Sequence, residues 1–173
     1  MAETIGGDLF KSALRRFASG ITVVTCRIGE ADHAMTASAF SAVSLDPPLV
    51  LVCVNRRARF AEALAATEWW GVSILAEQAE DAARWFATSG RPLIGQLDAF
   101  PHRRGASGVA LLHGTLAALE CRTDAVHAAG DHDIVVGAVA SASIVAAGRP
   151  LLYWDGEYRR LAPRAGASGP SSA

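Results

Sequence analysis

Hydrophobic positions along this chain repeat mostly at the short period of strands, and three stretches repeat at the helical period. Residues 8–19, DLFKSALRRFAS, put Leu9, Phe10, Ala13, Leu14 and Phe17 on one face and Lys11, Ser12, Arg15 and Arg16 on the other, which predicts an amphipathic helix. Asp8 is placed to cap its start, and Gly20 to end it in a left-handed turn. Residues 57–67 align Phe60, Ala61, Leu64 and Ala65, and residues 77–88 align Ala79, Ala82, Ala83 and Phe86, predicting two more helices.

The rest reads as strands and turns. ITVVTC (21–26) is rich in β-branched residues, and a second strand is expected around 34–40 after the turn GEADH. LDPP breaks the chain, because its prolines lack amide donors and hold the preceding residues extended. LVLVCV (49–54) is continuously apolar, as in a strand covered on both faces. WWGVSIL and the segments 110–123 and 132–146 follow, then PLLYW and YRRL around the turn DGE. The aperiodic stretch 88–108, TSGRPLIGQLDAFPHRRGASG, is long enough to be expected as a lid. Many strands with few, irregularly placed helices predict a mainly β fold: a barrel with helical decoration, not a doubly wound α/β sheet. One domain is expected over residues 1–162, with a disordered tail, PRAGASGPSSA, over 163–173.

Composition narrows the function classes. A net charge of −1 excludes a strongly basic nucleic-acid binder. The 51% apolar content is inflated by alanine, and no apolar run approaches the roughly 18–20 residues of a membrane span. The start, MAETIGGDLFKSALRR, has no basic stretch leading into an apolar one, so no secretory signal is expected. The three cysteines are scattered, which suggests buried free thiols in the reducing cytoplasm and neither a disulfide frame nor a zinc site.

Familiar chemical motifs are missing. There is no G-x-G-x-x-G, P-loop, H-E-x-x-H or G-x-S-x-G pattern. Asp131, His132 and Asp133 are adjacent, but strand neighbours point to opposite faces and do not readily share a metal. Three features remain. Thr36 and Ser38 share strand parity and can face one cavity, with Ser41 and Ser44 at the strand exit; the same hydroxyls equally serve to close a turn. VNRRARF (54–60) brings a strand end, a helix start and Arg56, Arg57 and Arg59 together, either to hold phosphate or as a solvated charge cluster. His132, beside Ile134 and Val136, is either a functional histidine or a boundary residue of a strand.

In sequence order, FKSALRRFASGITVVT, MTASAFSAVSLDPPLVLVCVN, WGVSILAEQ, WFA, LHGTLAALEC, GDHDIVVGAV and PLLYWDGEYRRL resemble the flavin reductase family with an FMN-binding split-barrel fold. Its members include the small reductase components of two-component flavin-dependent monooxygenases, and the resemblance runs over residues 8–162. It implies a split β-barrel, Greek-key-like, with a few flanking helices, working as a homodimer. It also implies hydride transfer from NADH or NADPH to FMN or FAD, and reduced flavin passed to a partner monooxygenase, with no nucleic acid, membrane or metal involved. Relatives of the same barrel leave two alternatives: a flavin-binding electron carrier that does not use nicotinamide directly, and a pyridoxamine-phosphate-oxidase-like enzyme.

By position, the resemblance places Thr36, Ala37 and Ser38 against the isoalloxazine and ribityl chain, with Ser44 toward the phosphate-bearing end. Val54, Asn55, the amides around Arg57 and Ala58, and the Arg59 side chain would hold the phosphate, with Ala87 approaching from the next helix. His132 would line the nicotinamide pocket as the catalytic-side residue, with Tyr158 nearby. Ala42 stands where many members carry serine, and the 88–108 stretch matches no family signature.

Overall fold

The structure, a computed structural model, describes residues 5–92, 94–145 and 147–162; the expected tail, 163–173, lies outside the described residues. The helices are α1 (Gly7–Leu14), α2 (Arg59–Ala65) and α3 (Glu80–Ala87). The strands are β1 (Ser19–Gly20), β2 (Thr22–Ile28), β3 (Ala31–Ala37), β4 (Phe40–Leu45), β5 (Pro48–Asn55), β6 (Trp69–Leu75), β7 (His102–Arg104), β8 (Ala110–Leu112), β9 (Thr115–Ala129), β10 (His132–Ile144), β11 (Leu151–Trp154) and β12 (Glu157–Arg160).

Seven strands form one antiparallel sheet in the order β3-β2-β6-β9-β10-β5-β4. Its two edge strands, β3 and β4, are consecutive in the chain, separated by Ser38 and Ala39 alone. The sheet therefore curls until its edges become two halves of one bent strand. Hydrogen bonds hold this corner: Thr22 Oγ1 donates to the Ala37 carbonyl at 2.9 Å, and the Cys53 amide donates to the Ala39 carbonyl at 3.0 Å. The mainly β, split-barrel architecture read from the sequence is the one observed, with β1, β11 and β12 forming a small sheet beside it. The β11–β12 hairpin turns through Asp155 and Gly156, both at positive φ, as a two-residue turn requires.

Inward residues of the barrel, among them Val24, Val52, Val72, Trp70 and Val135, make one apolar cluster. Trp70 is fully buried, and two strands away β10 carries Gly137, where a Cβ would strike the indole. A second cluster joins Val23, Leu75, Ala83, Phe86, Leu97 and Leu151 and seats α3 on the sheet.

Several expectations need correction. α1 stops at Leu14; Asp8 lies in its first turn while Gly6 takes the cap position, and Gly20 pairs with Leu152 in β1. No α1 residue is buried, and Leu9 and, just past the helix, Phe17 are 66% and 76% exposed, because the helix lies outside the barrel. In β5, Val50, Val52 and Val54 are buried, but Leu49, Leu51 and Cys53 on the other face are only half-buried. An antiparallel barrel strand has one interior face, so the apolar run does not indicate cover on both. The 88–108 stretch is anchored to the body, not a free lid. Leu97 is buried, the Phe100 and Phe86 rings lie 5.0 Å apart, and β7 pairs with β8. Arg104 fastens it further with a forked bond to Asp32, at 2.5 and 2.7 Å.

Candidate functional site

A cavity of about 410 Å³ opens where three elements meet. β3 supplies His33, Met35 and Thr36; the β5–α2 turn supplies Arg57, Ala58, Arg59 and Phe60; the end of α3 and the residues after it supply Phe86, Ala87, Thr88, Ser89, Gly90 and Arg91, with Gln96 behind. Five expected site residues, Thr36, Arg57, Ala58, Arg59 and Ala87, are thus brought together. Among the described residues the lining holds three arginines and a histidine and no carboxylate, so the cavity is suited to receive negative charge.

The turn that presents the arginines is set by Asn55. Its Oδ1 accepts the Arg57 amide at 2.9 Å, its carbonyl accepts the Ala58 amide at 2.9 Å, and its Nδ2 points to Asp131 Oδ2 at 3.5 Å. The amides of Arg57 and Ala58 were expected to grip a phosphate, but both are already spent inside the turn. Side-chain charge from Arg57 and Arg59 stands beside this turn in the cavity lining. Asn55, expected to help hold the phosphate, braces this turn as an Asx-type turn residue and does not line the cavity.

Thr36 Oγ1 donates to the Ala83 carbonyl at 2.7 Å, tying β3 to α3 and leaving the hydroxyl oxygen as an acceptor. Thr36 and Ser38 do not share the cavity. The barrel corner bends the chain just after Ala37, so strand parity is not carried through it. Ala37 is buried in the seam opposite Thr22. Ser38 instead lines a second cleft of about 520 Å³ with Leu14 and Phe17 and with Tyr153 and Trp154. Ser44 lies opposite Leu49 at the far end of β4, past a register shift after Ala42, and neither Ser44 nor Ala42 lines the cavity. Val54 is a core residue at 1% exposure, bordering a hollow of about 200 Å³ beneath α2.

His132 begins β10 directly across from Asn55 and also lies outside the cavity. Its Nδ1 is 2.7 Å from Asp131 Oδ1, and that hydrogen bond holds the Asp131 carboxyl below the usual carboxylate value. Asp133, on the opposite face, pairs with Arg56 at 2.7 Å, so the three residues do not converge on a metal. Among the described residues no group of three or more His, Cys, Asp or Glu side chains is arranged to hold one. Tyr158 packs edge-on to Tyr153, ring centroids 5.4 Å apart, with the Arg84 guanidinium 4.8 Å from its own centroid. Burial pushes its hydroxyl pKa up.

Sequence reasoning missed Arg91, His33 and Gln96. Arg91 had one signal, a lone cation in a Gly/Pro-rich stretch immediately after WFA, but its reach back to β3 is a tertiary fact. Cys26 and Cys121 are buried as expected, and burial pushes both thiols up to about 12.

Residues 14–162 match the model of the flavin reductase like domain, and the chain belongs to that family. It is 42% identical over 158 residues to the reductase component of 4-hydroxyphenylacetate 3-monooxygenase from Thermus thermophilus, spanning 89% of this chain and 96% of that one. It is also 42% identical over 154 residues to an NADH-dependent flavin reductase of a Rhodococcus species, spanning 87% and 84% of the two chains. Among solved structures, the NADH:FAD oxidoreductase of Streptomyces globisporus, in complex with NAD and FAD fragments, superposes with a TM-score of 0.87 at 36% identity, over 95% of this chain and 99% of that one. No helix among the described residues is long and apolar enough to cross a membrane.

Proposed function

We propose that this chain is a nicotinamide-dependent flavin reductase, oxidising NADH or NADPH, reducing FMN or FAD, and supplying the reduced flavin to a separate monooxygenase. The observation that carries this reading is the 410 Å³ cavity, with arginines at one end, apolar walls beside them and no carboxylate. Its volume lies within the roughly 300–1,000 Å³ usual for small-molecule and cofactor sites. The residues fit a flavin. Met35, Phe60, Phe86 and Ala87 offer apolar surface to a ring and ribityl chain, while Arg57, Arg59 and Arg91 offer charge to a phosphate.

The bound pair supplies the chemistry, hydride passing from reduced nicotinamide to flavin, and the protein's task is placement. Thr36, fixed to α3, keeps the β3 wall at a set distance from Ala87. Asn55 holds the turn so that Arg57 and Arg59 face the cavity. His132 and Tyr158 are proposed to contact the nicotinamide, and Ser38 to contact the flavin from the second cleft.

The protein is further proposed to be a cytoplasmic homodimer. Support for the dimer comes from exposed apolar residues that a second copy would cover: Leu45 and Ile144 are 92% exposed and Val43 49%. Light scattering on the purified chain tests the dimer.

The deciding experiment is NADH and NADPH oxidation with and without added FMN or FAD. Flavin-dependent turnover is expected with at least one pairing, and its absence from all four would end this reading. An electron carrier would keep its flavin oxidised under anaerobic NADH and NADPH.

A further inference from the structure

Arg91 is built into the cavity wall in an unusual way. Its Nη1 donates to the carbonyls of Phe86 at 2.8 Å, Trp85 at 3.2 Å and Thr88, and its Nη2 donates to the Ala34 carbonyl at 2.7 Å. One guanidinium therefore closes the open end of α3 and fastens it to β3. Its Nε is buried and has no partner, and its plane lies 5.7 Å from the centre of the Phe86 ring.

All these partners are neutral. Carbonyls satisfy the terminal N–H groups but do not cancel the charge, and a charge partly withdrawn from water without a counter-ion is costly. The charged group that bears on Arg91 is another cation, Arg59, whose Nη2 donates to Arg91's own carbonyl at 2.7 Å. Burial first, and then Arg59, pull the Arg91 pKa below its ordinary value. Two cations are held together on one wall of a cavity with no acidic lining residue. An anion between them is what this arrangement lacks.

We propose that Arg91 is the specificity-determining residue that makes this cavity select a phosphorylated flavin over riboflavin, by adding an uncompensated positive charge beside Arg59 at the cavity wall. This rests on the reading of the cavity as the flavin site. The role is one of field, because carbonyls occupy the terminal N–H groups of Arg91 and its Nε is buried. It separates Arg91 from a plain cap of α3, which would support any flavin equally.

The test is steady-state NADH oxidation with FMN or riboflavin as acceptor, for wild type, Arg91→Met and Arg91→Lys. Wild type is expected to show a lower KM for FMN than for riboflavin. Arg91→Met should raise the FMN KM roughly 10- to 100-fold, the scale of a lost charge-assisted interaction. Any rise in its riboflavin KM, from the lost cap on α3, should be smaller, so that the preference for FMN falls at least about threefold. Arg91→Lys keeps the charge but loses the forked cap, so it should melt lower than wild type yet keep the preference for FMN. Equal rises for FMN and riboflavin in Arg91→Met would overturn the proposal, as would loss of the preference in Arg91→Lys. If Arg91→Met does not fold, Arg91→Lys decides alone. A wild type that reduces both flavins with equal KM also overturns it but leaves the flavin reading standing. A wild type with no flavin-dependent turnover overturns the flavin reading itself.

Discussion

Arg59 Nη2 meets the main-chain oxygen of Arg91 at 2.7 Å, which fixes a side chain at the start of α2 to the segment that follows α3. The contact spans two stretches of sequence that no local pattern connects. It sets where positive charge stands in the cavity, and the first prediction follows from it. Arg59→Ala should raise the KM for FMN roughly 10- to 100-fold, as expected for removal of a charged hydrogen-bonding group. The KM for NADH should move by no more than about threefold. Initial-rate kinetics with each substrate varied in turn measure both, and an NADH KM rising as far as that of FMN would count against the assignment.

His132 calls for the opposite pattern. It stands outside the basic cavity, across the β5–β10 ladder from Asn55 and bonded to Asp131. His132→Ala should raise the KM for NADH roughly tenfold while the FMN dissociation constant, read from flavin fluorescence, changes by no more than about twofold. If FMN binding falls as far as NADH use, His132 acts through the turn at Asn55 and not at the nicotinamide.

How far the sequence reveals this site depends on the range of the interactions involved. The barrel is legible because the apolar run of β5 and the β-branched run of β2 are local patterns, though which face of β5 is interior is not. Thr36 and Arg59 are legible because they stand in ordered motifs. The separation of Ser38 from Thr36 is not, since it depends on a corner made when β3 and β4 close the two edges of the sheet. Nor is Arg91, whose partners at Ala34 and Phe86 are set by packing of α3 on β3. The internal satisfaction of the Arg57 and Ala58 amides by Asn55 was also hidden, because a strand-to-helix turn reads the same whether its amides bind themselves or a ligand.

Glu120 offers a test of stability independent of any ligand. This buried carboxylate accepts from the Ser107 hydroxyl at 2.5 Å, the Ser107 amide at 2.8 Å, the Ser141 hydroxyl at 2.9 Å and the Ala106 amide at 3.1 Å. Burial pushes its pKa up, but the Ser107, Ser141 and Ala106 donors outweigh that and hold it below the ordinary value. A carboxyl depressed in the folded state binds protons less readily there than when unfolded. Its contribution is therefore full above the ordinary glutamate range and is lost as pH falls through the lowered value. Glu120→Gln should cost about 2–4 kcal/mol near neutrality, by removing the charge that four donors address. Urea unfolding of both proteins from neutral to acid pH should show the difference shrinking as pH falls. A gap that stays constant into acid would rule out the charged form as its source.

The last prediction concerns the centre of the barrel. Gly137 on β10 faces the fully buried Trp70, and a Cβ built there falls inside contact distance of the indole and touches Cys121 Cβ at 3.0 Å. Both neighbours belong to strands that cannot shift without breaking ladder bonds, since Trp70 and Cys121 are register partners across β6 and β9. Overpacking of this kind costs about 1–3 kcal/mol. Gly137→Ala should therefore lower stability by that amount, seen as an earlier urea midpoint at unchanged m-value. Adding Trp70→Phe removes the part of the ring that clashes, so the double variant should lose less than the sum of the two single changes. Additive losses in this cycle would mean that the indole is not what Gly137 accommodates.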